Sequence, residues 1–297
     1  MRELLRVLKG IAGHPLNKGR AGRALLRYVG WQVRSRLTSA PMVYAWVSGA
    51  KLLVRNGEHG LTGNVYTGFQ EYAEMAFVLH ALRREDLFID VGANVGSYTI
   101  LACAAVGARG YCLEPVPATH ARLVENLRLN QLDGRVRCLN MGAGAQTGVL
   151  GFSSDMDAGN RVLADGEVRA GRIEVPVTTL DALLEGESPT MMKIDVEGYE
   201  TSVLMGAQAT LRKPSLHSVI MEVNGSGELF GFEDAGLFRM MEAHGFHACT
   251  YAPERRELVR LAPADARPDN ILFVRDEARV RALLQEAPVF SVHGKQL

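Results

Sequence analysis

A glycine turn and two groups of carboxylates are the features of this sequence that could do chemistry. Asp90 stands inside an apolar run that begins at Leu87, and Gly92 and Gly96 follow it, four positions apart. Glycines let a backbone approach a ligand closely, and the free N–H groups of a first helical turn attract electronegative groups. Residues 87–101 therefore predict a buried strand, a tight turn and a helix start that hold a nucleotide or a nucleoside.

The spacing of the two glycines distinguishes between the ligands that such a turn could hold. A dinucleotide site has the pattern Gly-x-Gly-x-x-Gly, which places a pyrophosphate at the helix end. This turn lacks one glycine and carries Asp90, whose carboxylate would repel a pyrophosphate and attract an ammonium group. S-adenosylmethionine has a cationic amino-acid end, a sulfonium and a ribose, and it has no phosphate. We therefore predict that the turn after Asp90, including Ala93, binds S-adenosylmethionine.

The next two predicted strands add polar residues at the same edge. Glu114 ends a short strand 24 positions beyond Asp90. In nucleotide-binding βαβ units, an acid at this place accepts hydrogen bonds from both ribose hydroxyls. A third strand over residues 135–141 runs into a second small-residue turn at Gly142. We predict that Glu114 binds the ribose and that Asn140 and Gly142 also contact the cofactor.

The second group of carboxylates follows the predicted fourth and fifth strands. Asp195 and Glu197 end the strand that begins at Met191, and Glu222 ends the strand that begins at Ser218. Methyl transfer from a sulfonium to a hydroxyl needs an aligned acceptor and a group that takes its proton. We predict that Asp195 orients or deprotonates the acceptor, with Glu222 as the second candidate for this role.

Two alternatives remain open for these acids. Glu197 lines the methyl-transfer centre in one interpretation and binds backbone N–H groups at the start of the next helix in the other. Asp195, Glu222 and Asn224 also offer three oxygen ligands that would suit Mg²⁺, in a site similar to that of catechol-type O-methyltransferases. The residue order does not match those enzymes, so we expect a site without a metal.

The alternation of strand and helix patterns predicts an α/β fold. Five strand–helix units follow one another from residue 87 to residue 244, interrupted by a hairpin or edge ribbon within residues 147–177. Two further strands are predicted near residues 248–251 and 271–274.

Taken together, these motifs resemble the FkbM-type methyltransferase family. The most specific string is Lys-Ile-Asp-Val-Glu-Gly-Tyr-Glu, which begins at Lys193. The resemblance extends over residues 86–273, and its motifs are residues 90–96, Glu114 with Pro115, residues 193–200 and residues 203–207.

The resemblance implies a Rossmann-like, seven-stranded class I methyltransferase sheet with helices on both faces. It implies an S-adenosylmethionine-dependent O-methyltransferase that acts on a hydroxyl of a sugar, of a glycan or glycolipid, or of a secondary metabolite. The family pattern places Asp195 and Glu197 at the methyl-transfer centre and Glu114 at the ribose. It assigns the amino-acid end of the cofactor to Asp90, Gly92, Asn94 and Gly96.

The charge distribution sets the first part of the chain apart. Residues 1–55 contain 11 Lys or Arg and one acid, whereas the whole chain has 33 of each class. Such a basic amphipathic arm either lies on an anionic membrane surface or an acidic substrate, or packs on the domain as a cap with solvated charges. We expect a basic helical extension over residues 1–60, a methyltransferase domain over 61–275, and a C-terminal helix and tail over 276–297.

Composition also bounds the cellular context. No apolar run is long enough for a membrane span, and the start of the chain lacks the pattern of a secretory signal. The four cysteines are widely spaced, which favours free thiols over disulfides or zinc. We expect a cytoplasmic enzyme that does not bind nucleic acid, with peripheral contact at the inner membrane face as one role for residues 1–45. A non-catalytic subunit that keeps the fold and binds a partner is the alternative.

Overall fold

An eight-stranded sheet forms the centre of the protein in the computed structural model, which describes residues 2–155, 159–164, 166–167, 169–262 and 269–297. The strands in these residues, numbered in chain order, are β1 (Met42–Ala45), β2 (Lys51–Val54), β3 (Leu87–Val91), β4 (Arg109–Leu113), β5 (Val136–Leu139), β6 (Gly142–Ala143), β7 (Gly148–Phe152), β8 (Ile173–Thr178), β9 (Met191–Ile194), β10 (Ser218–Val223), β11 (His247–Ala252), β12 (Glu257–Arg260), β13 (Asp269–Val274), β14 (Ser291–Val292) and β15 (Lys295–Gln296). The helices are α1 (Arg2–Gly13), α2 (Ala21–Leu37), α3 (His59–Thr67), α4 (Tyr72–Ala81), α5 (Ser97–Ile100, continued by a π-helical segment, Leu101–Val106), α6 (Pro117–Leu129), α7 (Leu180–Leu183), α8 (Glu200–Met205), α9 (Gln208–Arg212), α10 (Asp234–Ala243) and α11 (Glu277–Gln285).

The strand order of the central sheet is β12-β11-β13-β10-β9-β3-β4-β5. The five strands from β10 to β5 run parallel, while the pairs β10/β13, β13/β11 and β11/β12 are antiparallel. The chain proceeds from β3 outward to β5 and then returns to the other side of β3 through β9. Ligands of open α/β sheets bind beyond the carboxyl ends of the strands at such a switch.

The predicted Rossmann-like class I methyltransferase sheet is confirmed, with eight strands where seven were expected. The additional strand is β12, which forms a hairpin with β11 at the edge of the sheet. Only Leu258 of its four residues is buried. So short and polar a strand has little hydrophobic pattern to reveal it.

Two hydrophobic cores lie on opposite faces of β3, the middle one of the five parallel strands. Phe88 packs into the core on one face of the sheet with residues of α4 and α6, whereas Leu87, Ile89 and Val91 pack into the core on the other face with residues of α8, α9 and α10. Alternate side chains of a strand point to opposite faces, so a strand covered on both sides is apolar throughout. Asp90 is the exception, and it is buried.

A small three-stranded sheet, in the order β6-β8-β7, interrupts the alternation as predicted. β7 and β8 pair antiparallel with Phe152 opposite Ile173. The predicted turn at Gly142 is instead the start of β6, because Gly142 and Ala143 pair in parallel with Val177 and Thr178.

The N-terminal region packs on the domain and joins the C-terminal tail. Trp46 is buried and its indole N–H donates to the carbonyl of Gly68 at 2.6 Å. Val47 forms a β-bridge with Val292. In the part of the chain that the structure describes, no helix has the length and apolar character needed to cross a membrane. The four cysteines are free.

The turn after β3 lies directly against the backbone after β9. The N–H groups of Gly92 and Ala93 both donate to the carbonyl of Leu113, at 3.0 Å each, and Asp195 N–H donates to Val91 at 3.0 Å. Gly92 has a φ of 79°, and a Cβ atom there would lie 1.8 Å from the carbonyl oxygen of Asp195. Only glycine fits, since any side chain would both strain the backbone and collide with it.

We expect Gly92→Ala to lower the free energy of unfolding by about 3 kcal/mol or more, because the turn and the β9 exit must separate. Urea denaturation followed by circular dichroism measures this change. The matched control is Gly134→Ala, since a Cβ atom at Gly134 meets nothing within 4 Å. Equal stability of the two variants would contradict the close packing.

Candidate active site

A cleft of about 250 Å³ opens at the carboxyl ends of β3, β4, β9 and β10. Nine of the eleven residues that we predicted to bind the cofactor or to act on the acceptor line this cleft. The residues that line it are Asp90, Gly92, Ala93, Asn94, Glu114, Gly142, Asp195, Glu197 and Glu222. The other two, Gly96 and Asn140, are not among the lining residues.

Asp90 stands at the base of the cleft, between two neighbouring strands. It pairs in register with Cys112 of β4 and with Lys193 of β9. Its carboxylate accepts a hydrogen bond from the Thr99 hydroxyl at 2.5 Å. Burial raises the pKa of Asp90 to about 6, although the bond from Thr99 and the charge of Lys193 lower it. The site thus contains a buried carboxylate that a ligand ammonium group would stabilise in its charged form.

Glu114 fixes the loop beyond the glycine turn. One carboxylate oxygen accepts from the N–H of Asn94 at 3.0 Å and the other from the N–H of Val116 at 2.9 Å. Asn94 has a φ of 49°, in the left-handed region, which this bond helps to hold. Burial raises the pKa of Glu114 to about 7. Each oxygen has two lone pairs, so both can still accept a bond from a hydroxyl group.

Gly96 and Asn140 support the site from outside the cleft. Gly96 has a φ of 97° immediately before α5, and a Cβ atom there would lie 2.6 Å from a methyl group of Leu123. The Asn140 side-chain amide donates to the carbonyls of Glu114 and Pro115, at 2.9 Å each. Asn140 therefore positions the backbone that carries Glu114.

Three carboxylates meet on a second wall, formed by the ends of β9 and β10, next to the first wall formed by the ends of β3 and β4. Asp195, Glu197 and Glu222 each have a carboxylate oxygen within 4.8 Å of those of the other two. Burial, followed by the charge of Asp195, raises the pKa of Glu197 to about 7 and that of Glu222 to about 8. Oε2 of Glu222 is buried and has no hydrogen-bond partner among the described residues. The cluster therefore holds at least one exchangeable proton near neutral pH.

Lys193 lines the cleft, and sequence reasoning did not single it out. It is 1% exposed, and its ammonium donates to Asp195 and to the Asn270 side chain at 2.8 Å each. The same ammonium lies 5.2 Å from the centre of the Tyr98 ring. Although burial lowers the pKa of Lys193, the charges of Asp195 and Glu71 raise it overall. A lysine inside an otherwise apolar strand was the signal in the sequence.

The start of the helix after β9 is capped by Glu200 and not by Glu197, the candidate from the sequence. Glu200 accepts from the N–H of Val196 at 2.9 Å and from the N–H of Gly198 at 3.3 Å. Glu197 instead has a φ of 54° and lines the cleft. Glu200 therefore binds the backbone groups for which Glu197 was the candidate.

The three acids also have the oxygen ligands that a divalent cation prefers. The third acid near Asp195 and Glu222 is Glu197. The sequence had suggested Asn224 as the third magnesium ligand. Asn224 is exposed and its side-chain oxygen accepts from the N–H of Ser226 at 2.9 Å, which caps the loop after β10. Lys193 already neutralises Asp195, so a cation would compete with the lysine.

Comparisons with known proteins find a curated relative and several solved structures. Hexuronic acid methyltransferase AglP of Haloferax volcanii is 30% identical over 153 residues, which span 50% of this chain and 59% of that protein. Among solved structures, precorrin-6y C5,15-methyltransferase from Geobacter metallireducens is 14% identical, with a TM-score of 0.39 over 69% of this chain and 87% of that one. A putative rRNA methylase from Clostridium thermocellum is 12% identical, with a TM-score of 0.40 over 67% and 90% of the two chains.

The family comparison covers the cleft itself. The model of the methyltransferase FkbM domain matches residues 90–248, which include Asp90, Glu114, Asp195 and Glu222. This match extends over more than half of the chain, which therefore belongs to the FkbM methyltransferase family.

Proposed function

We propose that this protein is an S-adenosylmethionine-dependent O-methyltransferase that acts on a hydroxyl of a sugar, alone or within a glycan. The observation that carries the proposal is one cleft with the predicted cofactor residues on one wall and three carboxylates on the other. The similarity to a hexuronic acid methyltransferase supports a sugar acceptor. The matched part spans only 59% of that relative, so the acceptor is inferred from the shared segment alone.

The first wall fits S-adenosylmethionine in charge and in hydrogen-bonding capacity. Asp90 would face the ammonium group of the amino-acid end, and Glu114 would accept bonds from the ribose hydroxyls. Gly92 lets the turn between them pack closely against the backbone after β9. When bound, this cofactor supplies an electrophilic methyl group on a sulfonium.

The second wall would orient the acceptor hydroxyl and take its proton. Asp195 is our first candidate, because its side chain is 32% exposed and Lys193 holds its orientation. Glu222 is the second, because its unpartnered Oε2 and its pKa of about 8 suit proton exchange near neutral pH. A carboxylate that binds the hydroxyl before transfer also lowers the entropic cost of aligning the acceptor, in addition to removing its proton.

A matched pair of substitutions tests the two walls separately. We expect Asp90→Asn to weaken S-adenosylmethionine binding by about tenfold or more, because the ammonium loses its counter-charge. We expect Asp195→Asn to keep that binding and to lower turnover by about 10²- to 10⁴-fold, because the acceptor loses its base. Isothermal titration calorimetry measures binding, and release of S-adenosylhomocysteine measures turnover.

Asp133→Asn is the control for both measurements, since Asp133 is an exposed acid that does not line the cleft. Unchanged cofactor affinity in Asp90→Asn would contradict the assignment of the first wall. Full turnover in Asp195→Asn would move the base to Glu222. A protein that binds the cofactor but yields no S-adenosylhomocysteine with any sugar acceptor would favour the non-catalytic alternative.

Stability should depend on pH through Glu222. Burial and the charges of Asp195 and Glu197 raise its pKa from 4.5 to about 8, so the folded protein keeps a proton that the unfolded chain releases. This contribution to stability is therefore present at low pH and is lost as the pH rises towards about 8. We expect Glu222→Gln to raise the unfolding midpoint at about pH 9 by about 2 °C or more relative to wild type, with a smaller effect at about pH 5.

Differential scanning calorimetry at the two pH values measures this difference. Glu185→Gln is the control, because Glu185 is exposed and lies outside the cleft. The same midpoint shift at both pH values, or a shift equal to that of the control, would contradict the crowding of the three acids.

Magnesium-assisted transfer is the second candidate, favoured by the approach of Asp195, Glu197 and Glu222 to within 4.8 Å. A cation held by these oxygens would polarise the acceptor hydroxyl. Because Lys193 already neutralises Asp195, we expect turnover to survive exhaustive treatment with EDTA. Loss of S-adenosylhomocysteine release on chelation, restored by Mg²⁺ but not by K⁺, would replace the first candidate with the second.

A further inference from the structure

Exposed apolar side chains are concentrated at the start of the chain. Of thirteen large hydrophobic residues that are exposed in the described part of the protein, eight lie between residues 4 and 43. These eight are Leu4, Leu5, Val7, Leu26, Val29, Val33, Leu37 and Val43. Clusters of this kind on a protein surface mark sites of contact with another surface.

One side of helix α2, its inner side, packs against the rest of the protein. Ala24, Trp31 and Ser35 are buried, and they fall within an arc of about 40° on a helical projection. Arg27, next to this arc, donates to Asn17 and to the carbonyl of Tyr66. The helix is thus held in place by one side alone.

The outer face of α2, formed by Leu26, Val29, Val33 and Leu37, points the other way. These four residues fall within an arc of about 80° on the same projection, opposite to the buried side. Leu26 is 73% exposed and Leu37 is 81% exposed. A helix that only capped the domain would not need four large apolar side chains in water.

Exposed positive charges border this face. Arg23 and Arg34 project along one edge of it and Arg36 along the other. Their side chains are exposed, as are those of four further basic residues in the first 20 positions: Arg6, Lys9, Lys18 and Arg20. The first 55 residues contain one acid, so the region repels any positively charged surface.

We propose that the outer face of α2 and its bordering arginines dock on the surface of a membrane that contains anionic lipids. Leucine and valine side chains insert among acyl chains while arginines pair with anionic headgroups, and this combination is the one α2 presents. A second copy of the chain would place like charges against each other. A nucleic acid would satisfy the arginines but leave the apolar stripe in water. The proposal is independent of the proposed function.

Vesicle flotation of the full-length protein tests the proposal. We expect the protein to float with vesicles of phosphatidylcholine mixed with phosphatidylglycerol and to stay in solution with vesicles of phosphatidylcholine alone. We expect Leu26→Glu combined with Val33→Glu to lower the floated fraction about tenfold or more, because it removes the insertion and adds negative charge. Arg23→Ala combined with Arg34→Ala should also lower it.

The controls use matched residues elsewhere on the surface. Val149→Glu replaces an apolar residue that is 62% exposed, and Arg212→Ala combined with Arg239→Ala removes two exposed charges. We expect both controls to float like wild type. Circular dichroism shows whether each variant is folded.

Three results of the flotation experiment would overturn the proposal. One is an absence of flotation with anionic vesicles, and another is equal flotation with the neutral ones. The third is wild-type flotation of the folded Leu26→Glu, Val33→Glu variant. If that variant instead converts a dimer into a monomer, or if RNA is retained while vesicles are not, the face serves a second copy or a nucleic acid and the membrane assignment is wrong.

Discussion

The close contact between the turn after β3 and the backbone after β9 is the constraint on which the site depends. With no side chain at Gly92, the carbonyl of Asp195 packs against the turn, and hydrogen bonds to Leu113 tie the same turn to β4. The contact joins the two walls of the cleft at a fixed separation. Methyl transfer needs such a fixed distance, since reacting groups gain most when they are held in line.

The electrostatics of the cleft follow from that contact. Parallel strands bring their carboxyl ends to one edge, and here β3, β4, β9 and β10 each carry an acid at or beside that end. Burial and mutual repulsion raise the pKa values of Glu197 and Glu222, while Lys193 supplies a positive charge from within β9. Asp90 remains beneath the turn, paired in register with that lysine. In the function that we propose, Asp90 would face a cationic ligand and the acids after β9 and β10 would take part in proton transfer.

Sequence reasoning located the acids because their position depends only on where strands end. Asp90, Glu114, Asp195 and Glu222 each follow an apolar run, and that pattern is visible in one dimension. The role of Lys193 was not predictable in this way, since its second partner, Asn270, is 77 positions away. Which of the acids after β9 would cap the next helix was equally hidden, because it depends on the φ of 54° at Glu197.

The most direct test of the proposed function is to identify the bond through which the transferred methyl group is attached to the product. The protein would be incubated with S-adenosylmethionine carrying a ¹³C-labelled methyl group and a panel of sugar glycosides, and the products examined by nuclear magnetic resonance. We expect an O-methyl ether signal at a sugar oxygen, formed in equal amount with S-adenosylhomocysteine. Label found in a methyl ester or on nitrogen, or cofactor that binds with no label transferred, would contradict the proposed function.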